Sequence, residues 1–115
     1  MPEKKSEIQS LSALEEDLLT LLYARGILYG TQFISAVSEA SERRRQLGVG
    51  SLYPTLARLH EKGLVEPYWG DEERGPRRKY YKITDKGRES LEEVVRFRFM
   101  LGGGVNLIDN ICSKK

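Results

Sequence analysis

The sequence is poor in the residues that build metal, redox and nucleophilic centres. Its 115 residues include one cysteine, Cys112, and one histidine, His60. A single cysteine excludes an internal disulfide and fits a reducing cytoplasm. His60 has no second ligand at metal spacing, and Cys112 has no activating base in view, so neither a metal site nor a thiol nucleophile is expected. The only glycine cluster, 102–104, follows a helical segment rather than a strand. Catalysis and a bound cofactor are therefore both unexpected. Apolar runs stop at three or four residues, far short of a bilayer span. Residues 1–10 are polar and charged, unlike the apolar centre of a secretory signal. These readings point to a soluble cytoplasmic protein with no membrane partner.

Net charge is also scarce, at +2. Its distribution is not even. Residues 1–42 carry a net −4, residues 43–88 a net +6, and residues 89–115 balance at zero. A basic middle suits a polyanion, although many soluble domains carry a basic face.

What is present is apolar periodicity punctuated by caps and glycines. Ser12 followed by Glu15 has capping-box spacing and opens a helix with Leu14, Leu18, Leu21 and Leu22 on one face. Gly26 ends it, and 27–30 reads as a connector. Thr31 is the expected cap of a second helix, with Phe33, Ile34 and Val37 inward, fading near Ser41. Gly48 to Gly50 opens a third helix with Leu52, Leu56 and Leu59 as its inward stripe and Thr55, Arg58 and Lys62 on another face. Pro54 removes one backbone donor near its start, and Gly63 closes it. Residues 64–69 and 77–83 read as strands around a turn at 70–76. Thr84 and Asp85 give the next cap signal, 89–101 is helical, and the glycines at 102–104 stop it.

Helix, helix, helix, hairpin, helix is the order of a winged helix-turn-helix, a mainly α fold with a β-hairpin (α+β). The expected organisation is an arm at 1–11, a DNA-binding domain at 12–88, and a dimerisation helix and tail at 89–115. A third helix in such a domain fits a DNA major groove about 12 Å wide. Expected DNA contacts are Arg43, Arg44 and Arg45 before that helix, Ser51, Tyr53, Thr55, Arg58 and Lys62 on it, and Arg74, Arg77, Arg78 and Lys79 on the hairpin. Thr55 suits a thymine methyl, Arg58 a guanine edge or a phosphate, and Tyr53 a phosphate. Strand alternation puts Arg77 and Lys79 on one face and Arg78 on the other. Asp71, Glu72 and Glu73 would repel DNA at the hairpin apex, so its flank is the expected approach. Trp69 beside Tyr68 packs the hairpin or a dimer seam. Leu14, Leu18 and Leu21, with Leu91, Val94, Val95, Phe97, Phe99 and Leu101, are expected to bury themselves between two copies of the chain. A protein-binding winged helix without DNA contact is the alternative. No small-molecule effector is legible.

The segments Gly50-Ser51-Leu52-Tyr53-Pro54-Thr55-Leu56-Ala57-Arg58-Leu59 and Glu61-Lys62-Gly63-Leu64-Val65-Glu66 resemble the recognition-helix motif of the PadR family. The run from Gly75 to Thr84, with Gly87, resembles the family's wing, and Tyr29-Gly30 its second-helix start. This resemblance spans about residues 14–92 and implies a winged-helix transcriptional regulator, usually a dimeric repressor acting on a palindromic duplex operator. Short cyanobacterial clock-modifying members look nearest, which implies repression of a clock-linked gene. Gly48 stands where the family usually has a capping serine, and the longer C-terminal helical domain of many members has no counterpart in this sequence.

Overall fold

The computed structural model describes residues 7–70 and 77–112. Helix α1 (Ala13–Arg25) starts with a complete capping box. Ser12 Oγ accepts from the Glu15 N–H at 3.1 Å, and the Glu15 carboxylate accepts from the Ser12 N–H at 2.9 Å. Leu18, Leu19 and Leu22 are buried on its inner face, and Leu14 and Leu21 pack at the margin of the same cluster. Gly26 closes the helix with its N–H on the Leu22 carbonyl, 2.9 Å away.

The segment expected as a bare connector contains a two-residue strand, β1 (Leu28–Tyr29). Leu28 points inward and is buried, so the strand is tied to the core as well as to the sheet. Helix α2 (Gly30–Ala40) begins one residue before Thr31, which is therefore not its cap. The capping contact runs from the Tyr29 N–H to Gln32 Oε1, at 3.0 Å. Phe33 and Ala36 are buried, with Ile34 and Val37 beside the core. At the far end Ser41 Oγ donates to the Val37 carbonyl and accepts from the Arg45 N–H, both at 2.9 Å.

Helix α3 (Val49–Glu61) presents Leu52, Leu56 and Leu59 to the core, each 1% exposed or less. It ends in a Schellman turn, with the Gly63 N–H on the His60 carbonyl and the Leu64 N–H on the Leu59 carbonyl, both at 2.9 Å. Strands β2 (Val65–Trp69) and β3 (Lys79–Ile83) form the hairpin, and β3 is central in the order β1-β3-β2. Val65 faces Ile83, Pro67 faces Tyr81 and Trp69 faces Lys79. On the other side of β3, Leu28 faces Tyr81 and Tyr29 faces Tyr80. The resulting fold is a winged helix-turn-helix, as expected.

Helix α4 (Asp85–Leu101) is capped by Thr84, whose Oγ1 accepts from the Gly87 N–H at 2.9 Å. Its first half lies on α1, through buried Leu91 and Val94. The Tyr23 hydroxyl donates to Glu92 and Arg98 pairs with Glu16, each at 2.6 Å. Leu18, Leu91 and Val94 are therefore core residues of the subunit, and their expected place in a dimer seam is corrected. An apolar stripe on a terminal helix has the same sequence whichever surface covers it. A short helix, α5 (Leu107–Cys112), follows with every residue exposed.

Gly87 is where the start of α4 meets the base of the hairpin. A side chain there would overlap the Leu64 carbonyl oxygen and stand 2.8 Å from Ile83 Cγ1. Backbone cannot step aside as a side-chain tip can, so Gly87→Ala should cost about 2 kcal/mol of stability, although alanine is the better helix former. Urea unfolding checks this. A midpoint equal to wild type would show that this contact relaxes freely.

Candidate nucleic-acid interface

Helix α3 turns its leucines inward, so the opposite face is set by helical spacing. Gly50, Pro54 and Ala57 lie there, all exposed and all small. Glu61 shares this face in the last turn, so it is the N-terminal part of the face, free of bulk, that lets the helix axis come close to the floor of a groove. Arg58 and Ser51 flank it on one side, and Tyr53, 46% exposed, lies on the other.

Two expected contacts on this helix are corrected. Thr55 is 1% exposed. Its hydroxyl donates to the Ser51 carbonyl at 2.7 Å and accepts from Arg58 Nη2 at 3.0 Å. Thr55 therefore cannot reach a thymine methyl; it holds Arg58 at the edge of the outward face. The clue lay in its spacing, three after Leu52 and four before Leu59, which places it among the leucines. Lys62 is the second. Its ammonium donates to Glu15 Oε2 at 2.7 Å and to the Ser10 carbonyl at 3.2 Å, which ties the end of α3 to the start of α1. That is a structural post and not a free cation.

Burial alone would push the Glu15 carboxyl up. The Lys62 hydrogen bond, the Ser12 backbone and side-chain bonds and the Lys62 charge outweigh it, and the carboxyl sits below its ordinary value of 4.5. A lowered folded pKa gives stability that is present above the unfolded value and lost as pH falls through the folded one. Lys62→Met should cost about 2 kcal/mol at neutral pH, the scale of a buried acceptor left unpaired. Without Lys62, burial is opposed only by the Ser12 bonds, so the Glu15 carboxyl moves upward, and the gap from wild type should narrow as pH falls through the carboxylate range. Unfolding across pH 3–7 checks the sign. A gap that stays constant with pH would contradict it.

Arg43, Arg44 and Arg45 are exposed in the turn between α2 and α3. Arg44 Nε donates to the Ser41 carbonyl at 3.1 Å, and Arg45 stands 3.9 Å from Asp17 of α1. These contacts draw Arg44 toward the end of α2 and Arg45 toward α1.

The hairpin shows the expected alternation. The Arg77 guanidinium lies 5.7 Å from the Trp69 ring centre, and the Lys79 ammonium lies 6.0 Å from it on the same face. Lys79 is also 5.8 Å from the Tyr81 ring. Arg78 takes the other face, 4.6 Å over the Tyr29 ring. Trp69 is 54% exposed and acts as a flat support between two cations, which restricts them at separations where cation–π attraction is felt. Burial pushes the Tyr81 phenol above its ordinary range, and the neighbouring Tyr53 adds to the shift. Trp69, Arg77 and Lys79 thus share one face of the wing, and Lys79 reaches back over the buried Tyr81 ring. Arg74 and the acidic residues Asp71, Glu72 and Glu73 lie outside the described residues.

Tyr29 is a structural contact not expected from the sequence. It sits in a row with Tyr80 and Tyr68 across the outer sheet face, with ring centres 5.5 and 5.7 Å apart. Its only advance signal was the Leu28-Tyr29 alternation, too short to read as a strand.

A family model described as the transcriptional regulator PadR-like family matches residues 18–93. A PadR-like transcription factor from Bacteroides fragilis superposes with a TM-score of 0.71 at 36% identity, over 83% of this chain and 88% of that one. Bacillus subtilis PadR, solved in complex with operator DNA, shares the fold at a TM-score of 0.65 and 24% identity, over 73% of this chain and 47% of that one. An uncharacterized protein X of Lysinibacillus sphaericus is 35% identical over 68 residues, or 59% of this chain. The chain spans 62% of that relative's length, and 24% of a 37.1 kDa transposon protein of Streptomyces fradiae to which it is 40% identical. With most of its length, and all of α3 and the described wing, inside the family match, this chain belongs to the PadR-like family of transcriptional regulators.

Proposed function

We propose that the chain is a cytoplasmic homodimeric repressor that seats one α3 in each major-groove half-site of a roughly palindromic duplex operator. The observation that carries this reading is the pair of wing cations, Arg77 and Lys79, held on the exposed Trp69 ring in a fold whose α3 keeps Tyr53 and Arg58 exposed. Cations there reach phosphates while the small outward face of α3 meets base edges. Arg58 and Ser51 take the groove wall, and Arg78 reaches the flanking strand from the outer sheet face. The same fold is seated on operator DNA in Bacillus subtilis PadR.

Dimerisation is supported by the second half of α4. Val95, Phe97, Phe99, Met100 and Leu101 are each 42% exposed or more, an apolar run that water does not favour. A two-fold dimer also matches a palindrome. Resemblance to the clock-modifying members makes a clock-linked gene the first target to test.

Selection of bound fragments from genomic DNA, followed by titration at several salt concentrations, tests the proposal. Roughly three phosphates neutralised per subunit give a slope near −5 in log K against log salt. Failure to enrich any sequence, or binding indifferent to salt, would overturn it.

A further inference from the structure

We infer that Gly30 is a positioning residue for DNA recognition. The inference rests on the reading above, in which Tyr53 meets the operator. Gly30 is the first residue of α2 and is buried. Its backbone does not require glycine, because it is absent from the residues with positive φ. What requires glycine is space. A side chain there would overlap the Tyr53 hydroxyl and stand 3.1 Å from Tyr53 Cζ and 3.6 Å from Cε1. The Tyr53 ring therefore leans from α3 into a notch at the head of α2, with part of its surface still in solvent. The preceding residue, Tyr29, carries the Arg78 guanidinium on its ring and pairs with Tyr80 of β3. Two adjacent residues thus touch a proposed contact of the recognition helix and one of the wing. The notch fixes where the Tyr53 hydroxyl stands relative to the wing cations.

Filling the notch moves the side chain and not the helix. The colliding atom is the tip of a side chain with two rotatable bonds, whereas α3 is anchored by buried Leu52, Leu56 and Leu59. Alanine is also the better helix former at the head of α2. Gly30→Ala should therefore keep or raise the melting temperature while weakening DNA binding. A purely structural role would move both in the same direction.

The probe is a duplex that the wild-type chain selects from a random-sequence library. Gly30→Ala should bind it about tenfold more weakly per half-site, the scale of one lost hydrogen bond to a charged group. The salt slope should not change, because no charge is altered. Tyr53→Phe removes the hydroxyl whose placement the notch sets, along with the worst of the overlap, so Gly30→Ala should cost no further DNA affinity in that background. Wild-type affinity in Gly30→Ala, an equal penalty with Tyr53→Phe present, or a loss of fold would each overturn the inference. A wild-type chain that selects no duplex would instead overturn the function on which it rests.

Discussion

Replacing Arg77 and Lys79 together by alanine is expected to weaken binding to every duplex, operator and unrelated alike, on the order of a thousandfold near physiological salt. Four cations leave the dimer, and about 1 kcal/mol for each exposed phosphate contact gives that scale. The salt slope should become shallower by about 3 to 4, because fewer counterions are released. Both side chains are exposed and rest on Trp69 rather than in the core, so the melting temperature should hardly change. Arg58→Ala is the contrast. Arg58 stands at the edge of the outward face of α3, so its loss should relax sequence preference more than it lowers overall affinity. Arg78→Ala separates the two wing faces. If Arg78→Ala exceeded the paired Arg77 and Lys79 change, the duplex would lie on the outer sheet face and the Trp69 face of the wing would not be the contact surface.

A charge placed on the exposed half of α4 should be nearly as damaging, by another route. Val95→Glu with Phe99→Glu sets four carboxylates where two helices are proposed to meet. The expected result is a folded monomer by sedimentation, with about half the wild-type salt slope and operator affinity lower by about a thousandfold, since one half-site remains. Stability of the subunit should be kept, because Val95 is 56% and Phe99 42% exposed. Leu91→Ala should do the opposite. Leu91 is 6% exposed and packs in the core, so its truncation should cost about 3 kcal/mol of folding stability before it affects association. A Val95 and Phe99 variant that stays dimeric would move the interface elsewhere on the chain.

These two outcomes mark where sequence reading stops. The helices, the hairpin and most of their ends were legible because each carries a local signal: Ser12 with Glu15, Gly26, Gly63, and Thr84 before α4. Strand β1 was hidden because two residues have no period; only pairing with Tyr80 and Tyr81 defines it. Thr55 was misjudged by residue type, when its place among the leucines fixed its burial. Lys62 could not be assigned from the chain alone, since Glu15 lies 47 residues away and meets it only after folding. Leu18, Leu91 and Val94 were read as apolar and they are; periodicity cannot say whose surface covers them. Alternation in the wing was read correctly because it is a property of any strand. What that alternation touches, Trp69 on one face and Tyr29 on the other, needed the sheet.

Trp69 is the only tryptophan in the chain, and it stands on the wing between Arg77 and Lys79. Its fluorescence therefore reports on that surface without any label. Titrating the protein with a selected duplex should change Trp69 emission saturably, reach its end point at two subunits per duplex, and lose the change as salt is raised. Saturable binding seen by anisotropy of labelled DNA, with Trp69 emission unmoved throughout, would place the wing away from the duplex.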